Sequence, residues 1–432
     1  MALNNWKEVK LGDLIESISI KHRFDKDKLI FLNTSDVLEG KILHEEYSDV
    51  DKMPGQAKKS ISKGDILFSE IRPKNKRFAF VEIEADDYVV STKLMVLRQK
   101  SNNADMKFLY HFLTSEKTLN YLQMIAEGRS GTFPQITFSE LKNITIKLPS
   151  IIEQKNISHF LENIESKIKT NNQINQKLEE MSQAIFKKWF VDFDFPNKNG
   201  NPYKTCGGKM IESVLGMIPE GWSIKTIDEI TSLIIDHRGK TPKKLGGEWE
   251  ESGFPAISAK NIKNNRIVKK DDIKFINHDL YSKWMKDPLN EGDILMTSEA
   301  PLGEYLYLGE LENFCLSQRL FGIRANPNII SPSVLYLSLN STRIIENIKN
   351  RATGSTVTGI RQAELRKVPI IIPPLDLQNK ITELLDGCLK KVYLNEKEND
   401  KLQEIRDTLL PKLMSGEIQL PLEMDDVVLN GG

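Results

Sequence analysis

Two stretches of the chain have residue types that approach catalytic chemistry, and each falls short. Asn201-Pro202-Tyr203 resembles the adenine methyltransferase signature of Asn or Asp, two prolines and an aromatic, but has a single proline. Gly239-Lys240-Thr241 has the end of a phosphate-cradling loop, yet Ile234 stands where the first glycine is required. The nuclease pattern that begins Pro-Asp has no starting point, because no proline precedes an aspartate. The six histidines lack the paired spacing of a metal site. Cys206, Cys315 and Cys388 are scattered and odd in number, and they read as reduced thiols of a cytosolic protein. The expectation is a noncatalytic chain that holds no metal and no cofactor of its own, so its chemistry is recognition.

Composition bounds what can be recognised. At 432 residues the chain exceeds the size of one core, and 39% hydrophobic with 28% charged residues is ordinary for folded domains. A formal net charge of zero argues against a tight freestanding nucleic-acid binder, since sequence-independent binding comes from Lys and Arg on phosphates. Local basic clusters remain able to act beside a partner that supplies more charge. The first residues lack a signal peptide's pattern and no apolar run reaches the roughly 18 residues of a membrane span, so a soluble, cytoplasmic protein without membrane contact is expected.

The elements that position any recognition residues are duplicated. Trp6, Leu11 and Leu14 reappear as Trp222, Ile227 and Ile230, and Gly64-Asp65-Ile66-Leu67 reappears as Gly292-Asp293-Ile294-Leu295. Ser91, Lys93 and Arg98 return as Ser317, Arg319 and Arg324; Pro149, Gln154, Ile157 and Leu161 return as Pro373, Gln378, Ile381 and Leu385. Each half begins with a mixed module, 1–150 and 218–375, of β-rich runs such as Tyr88 to Leu97 and Phe314 to Ile323, interrupted by a helical stretch (Asp105 to about Ala126, Ser333 to about Lys349). The fold class is α+β, with recognition expected on the long loops.

A long helix follows each module, over 151–195 and 376–415, with a linker at 196–217 and a tail at 416–432. Ile157, Leu161, Ile164 and Ile168, then Ile174, Leu178, Met181 and Ile185, keep the alternating three and four spacing of a coiled-coil seam. Ile381, Leu385, Cys388 and Val392, then Leu402, Ile405 and Leu409, repeat it. Both helices turn polar between the two runs, at Asn171 with Asn175 and at Asn395 with Asn399. An antiparallel pair with pseudo-two-fold symmetry brings these asparagines together, where they fix register at a cost in stability; the alternative is that they face solvent.

The order module, helix, module, helix, with Ala184 to Phe193 closing the first helix and Leu409 to Ile418 closing the second, resembles the specificity subunit of type I restriction-modification systems. Asp236-His237-Arg238-Gly239-Lys240-Thr241-Pro242 also resembles a segment common in that family. The resemblance covers nearly the whole chain. It implies two target-recognition domains, each reading one half of a split double-stranded DNA sequence. It also implies spacer helices that dock modification subunits, expected to number two, which methylate adenine with S-adenosylmethionine, and restriction subunits that join them.

Under that resemblance, the residues expected at DNA are those able to hold phosphates or face base edges. In the first module these are Arg72, Lys74, Lys76, Arg77, Lys93, Arg129, Ser130 and Gln135. In the second they are Arg238, Lys240, Lys243, Lys244, Lys260, Asn261, Gln318, Arg319, Arg351, Thr353 and Ser355. Trp189, Phe190, Phe193, Leu410 and Leu413 are the expected subunit-docking residues, the aromatic run Trp189, Phe190, Phe193 and Phe195 reading equally as the packed end of a helix, and Asn171 with Asn395 are the register residues. A scaffold with two peptide- or protein-binding modules is the alternative function. Replacing Asn171 and Asn395 together by isoleucine is expected to raise the melting temperature while loosening helix register, as read by thermal melts.

Overall fold

The structure is a computed structural model that describes residues 6–128, 134–354 and 358–421. Packing divides the chain into two compact units, Met1–Lys167 with Lys401–Gly432 and Ile168–Asp400. The sequence reading set the long helices apart as separate spacers, and the structure revises this. The first long helix, Ile151–Phe186, gives its opening turns to the first unit and the remainder to the second; the second, Leu375–Ser415, does the reverse. The reason is apolar burial at both helix ends. Ile157, Leu161 and Leu413 enter the core of the first unit, while Phe186, Ile381 and Leu385 enter that of the second.

Both units share one α+β plan. Lys7–Lys10 pairs antiparallel with Thr145–Leu148, and Ser223–Thr226 with Pro369–Ile372, so each module is closed start to end. A four-stranded sheet runs Ile15–Ile18, Leu94–Gln99, Ile66–Ser69, Phe78–Phe80; its counterpart runs Thr231–Asp236, Leu320–Ala325, Ile294–Thr297, Tyr305–Tyr307. Ile66–Ser69 and Ile294–Thr297 are buried along their whole length, as their near-continuous apolar sequence requires. Beside each, a buried aspartate anchors the strand behind it: Arg98 forks onto Asp65 at 2.8 and 2.7 Å, and Arg324 onto Asp293 at the same distances. These repeated arginines therefore serve the frame.

Each long helix is pinned to its module by one glutamine. Gln154 accepts from the Asp105 N–H and donates to the carbonyls of Asn103 and Pro149. Gln378 accepts from the Ser331 N–H and donates to the carbonyls of Ile329 and Pro373. Both side chains are fully buried with amide donor and acceptor satisfied, so the helix start and the loop before the module's helices are one rigid piece.

Three local expectations are corrected. Tyr88 to Leu97 is two strands, Tyr88–Ser91 and Leu94–Gln99, in different sheets; Cys315–Leu316 and Leu320–Ala325 split likewise. The helical stretches break into Met106–Thr114 and Glu116–Glu127, and into Pro332–Leu339 and Thr342–Arg351. Ser115 causes the first break, its hydroxyl accepting from the Thr118 N–H and donating to the Phe112 carbonyl. Third, Ile174, Met181 and Ile405 lie exposed rather than in a seam, while Asn171, Asn175 and Ser182 are buried in the same three-and-four spacing.

The asparagines do meet. Asn171 donates to the Asn399 side-chain carbonyl at 2.9 Å and Asn395 to that of Asn175 at 2.7 Å, all four residues being at most 3% exposed. Asn171 and Asn175 also donate to Glu398 and Glu396. Removing Asn171 and Asn395 leaves the Asn399 and Asn175 side-chain carbonyls without their amide donors, while Asn399 still donates to Asn172 and Asn175 to Glu396, at a cost of about 1–3 kcal/mol for each group left unpaired. The expected direction of the double isoleucine variant reverses: it lowers the melting temperature. Replacing Asn171, Asn175, Asn395 and Asn399 together by leucine restores or raises it while permitting helix slippage, measured by thermal melts and by cross-linking between cysteine pairs placed along the helices.

His111 gives a pH signature to the first unit. It is 5% exposed, and burial, assisted by Arg406 and Lys107, lowers its pKa to about 4 from the usual 6.5. A depressed histidine pKa contributes stability that is complete above pH 6.5 and lost as pH falls toward 4, about 3 kcal/mol at most. His111→Leu, which installs the residue type of the matching Leu337, is expected to flatten unfolding midpoints over that window in urea titrations at fixed pH.

Candidate nucleic-acid interface

Three segments distant in sequence converge at one end of the four-stranded sheet in the first unit. They are the loop after Ile66–Ser69, the turn before Leu94–Gln99, and residues 134–136. The Glu70 N–H donates to the Lys93 carbonyl, the Ile136 N–H to the Glu70 carbonyl, and the Arg72 N–H to the Pro134 carbonyl. Ile71 bridges Gln135. Arg72, Lys93 and Gln135 are thus brought together, with Lys74 exposed farther along the same loop. Lys59 holds the turn from beneath: its buried ammonium donates to the carbonyls of Thr92 at 3.0 Å and Leu94 at 2.8 Å, flanking Lys93. Burial pulls the Lys59 pKa below the usual lysine value, with Glu70 opposing.

The second unit repeats the arrangement. The Ser298 N–H donates to the Arg319 carbonyl and the Ile360 N–H to the Ser298 carbonyl, while Gly359 bridges both Glu299 and Thr353. Arg319 and Gln318 are exposed at the break between strands, Arg319 with a left-handed φ of 67°. The register that pairs Asp236 with Phe321 and Thr297 with Leu320 carries Arg238 to the same end, stacked 5.2 Å over the Phe321 ring. Arg238, Gln318, Arg319 and Thr353 therefore share one surface.

Three of the cations on these surfaces already have a carboxylate. Lys93 lies 3.6 Å from Glu70, Arg319 2.7 Å from Glu299, and Arg238 2.6 Å from Asp236. A phosphate arriving here exchanges one anion for another, so the net gain per contact is smaller than for a free arginine. The sequence reading missed Glu70, Glu299 and Lys59 because it sought exposed cations, and Glu70 and Glu299 do not occupy matching positions in the repeat.

Other expected residues do not join the surfaces. Asn261 is fully buried, accepting from the Ser258 N–H and hydroxyl and donating to the carbonyls of Val268 and Lys269; it shapes a turn. Arg77 donates to the carbonyls of Ser35 and Val37, Lys240 to that of Trp284, and Lys244 to that of Gly239, so these cations tie loops. Lys76 pairs with Glu39, Lys260 with Asp272, and Arg351 bonds Asn347 and lies 3.5 Å from Glu364. Lys243 is exposed. Arg129, Ser130 and Ser355 lie outside the described residues.

The docking expectation is corrected in part. Phe190 and Phe193 are 6% and 5% exposed and pack with Phe195 around Trp222, and Leu413 is fully buried, so these side chains complete the chain's own cores. Trp189 and Leu410 are only partly covered. More accessible are Met181 and Ile405, 39% and 45% exposed, at matching positions of the two helices. Among the described residues no group of three or more His, Cys, Asp or Glu is placed to hold a metal, and no helix is long and apolar enough to cross a membrane.

With this geometry in place, likeness to known proteins is informative. The family described as the type I restriction modification DNA specificity domain matches residues 4–180 and again 219–404. The specificity subunit of the type I restriction enzyme HindI from Haemophilus influenzae is 32% identical, the match covering 96% of this chain and 100% of that one. The MjaIX specificity subunit from Methanocaldococcus jannaschii is 25% identical over 73% of this chain and 69% of its own. The crystal structure of the S subunit of a type I restriction-modification system from M. genitalium superposes with a TM-score of 0.60 at 18% identity, covering 96% of this chain and 97% of that one, and so shares the fold. Two matched domains that span most of the sequence, and a relative alike from end to end, place this chain in the family of type I restriction-modification specificity subunits.

Proposed function

We propose that the chain is the noncatalytic DNA-recognition subunit of a cytoplasmic type I restriction-modification complex, each module reading one half of a split, asymmetric duplex target. The observation that carries this reading is the same three-segment convergence in both modules, each presenting a cation at the strand break, Lys93 in one and Arg319 in the other. Rigid sheets with loops gathered at one end are the arrangement on which recognition residues are displayed.

The long helices then act as an antiparallel coiled-coil spacer. The amide pairs support a pseudo-two-fold, because exchanging the helices carries the Asn171–Asn399 bond onto the Asn395–Asn175 bond. The 36-residue first helix spans about 54 Å at 1.5 Å per residue, longer than one turn of DNA at about 34–36 Å. Two modification subunits, which bring S-adenosylmethionine and the adenine chemistry, dock on the helices at the matching exposed residues Met181 and Ile405, with Trp189 and Leu410 nearby in sequence. Restriction subunits complete the complex.

Methylation sequencing of cells with and without this chain, its modification subunit retained, tests the reading. A split adenine-methylated motif that disappears with the chain is expected; an unchanged pattern with an assembled complex returns the scaffold alternative. Arg319→Asn keeps a residue tolerant of left-handed φ and removes the cation. It is expected to weaken target binding of the complex about tenfold and to lower the slope of affinity against salt by about one, with assembly intact.

A further inference from the structure

The second unit contains a polar cavity lined by none of the residues assigned above to the candidate DNA surface. Its volume is about 240 Å³, and its walls include Glu179 and Ser182 of the first long helix, Asn265 and Glu304 of the module's turns, and Tyr305 with Tyr336. This is below the roughly 300–1,000 Å³ of drug-sized pockets and suits a ligand of side-chain dimensions. Two carboxylates line it and no lysine or arginine does. The nearest cation, Arg266, is committed to Glu396 at 3.2 Å. Tyr305 is 3% exposed and its hydroxyl is one of seven buried side-chain polar atoms without a hydrogen-bond partner among the described residues, and it belongs to a residue of the cavity wall.

The first unit shows what chemistry belongs there. In the alignment that matches Gln154 with Gln378 and Asn171 with Asn395, Ser182 falls opposite Arg406 and Leu389 opposite Glu165. Counting from the matched helix caps Asp105 and Ser331, Tyr110 falls opposite Tyr336. Arg406, half-buried and donating through its Nε to Asp407 at 2.9 Å, carries a charge felt by Tyr110, His111 and Glu165. The chain therefore supplies its own guanidinium to one unit. At the other it places a serine, and a carboxylate stands one helical turn away at Glu179, where the first unit has Gln403. Burial raises the Glu179 carboxyl above its usual range, outweighing a hydrogen bond from Asn265 and the charge of Arg266.

We propose that the cavity beside Glu179 is a binding site for one external guanidinium group, which takes the place that Arg406 fills in the first unit. Glu179 accepts its planar N–H fork, the Tyr305 and Tyr336 hydroxyls and the Asn265 side chain surround it, and Leu389 receives the alkyl stem. The group comes either from a small guanidino compound or from an arginine of a protein seated on the helices.

Methylguanidinium titrated into the full chain at constant ionic strength, followed by thermal melting and calorimetry, tests the site. A saturable rise in melting temperature is expected, with affinity at least about tenfold weaker in Glu179→Gln, because a charge-assisted fork is lost. Ser182→Arg is expected to raise the melting temperature and abolish the response, since the chain then fills the cavity itself. No response in the wild-type chain, or an equal response in Glu179→Gln, overturns the proposal even if Ser182→Arg fails to fold. Repeating the titration on the complex with modification subunits separates the sources: a response lost on assembly assigns the guanidinium to a partner's arginine, and a response kept assigns it to a free compound. The test on the isolated chain stands whether or not DNA is the target.

Discussion

The buried amide quartet of Asn171, Asn175, Asn395 and Asn399 is the constraint from which much of the molecule follows. Leucines at these positions would bury more apolar area, but an apolar seam slides in steps of one turn at little cost. Paired amides do not, because a slip leaves four groups without partners in a dry site. Fixing the register decides which residues of the second helix face the second module. Glu396 reaches Arg266, Asp400 reaches Lys270, and Lys397 pairs with Glu310 and Glu312. It also decides that Ser182 lines a cavity.

The modules are rigid where the helices leave them and varied where loops gather. Gln154 and Gln378 use every amide hydrogen-bonding direction they need to join helix, loop and module, and the Arg98–Asp65 and Arg324–Asp293 forks secure the neighbouring sheets. These polar contacts recur almost atom for atom, while the exposed residues on the loops differ. A frame of this kind transmits position accurately and leaves sequence free to change where contact with a target is made.

The zero net charge has a structural counterpart in the ion pairs of the candidate surfaces. Arg238, Arg319 and Lys93 are each held by a carboxylate of the chain itself. Such pairing keeps long side chains ordered and lowers nonspecific attraction to phosphate, so discrimination rests more on fit than on charge. A subunit that works inside a larger assembly gains from this, because binding strength is contributed by several chains while selectivity is set by one.

The sequence by itself determined the duplication, the α+β class, the long helices and the importance of the asparagines, since periodicity and repeated residues are local or self-referential signals. Gln154 with Gln378 was visible there as a repeat but not as a pin, because its partners lie some fifty residues upstream in each module. Tertiary structure decided which cations remain available. Arg77, Lys240 and Lys244 read as surface charges in the chain, yet each finds backbone carbonyls exposed by a turn that only folding creates. It also decided that Phe190, Phe193 and Leu413 are core and that Ile174 and Met181 are not, because a helix shows its apolar residues to whatever register brings near. Burial is a property of the packed whole, and the spacing along one helix leaves it open.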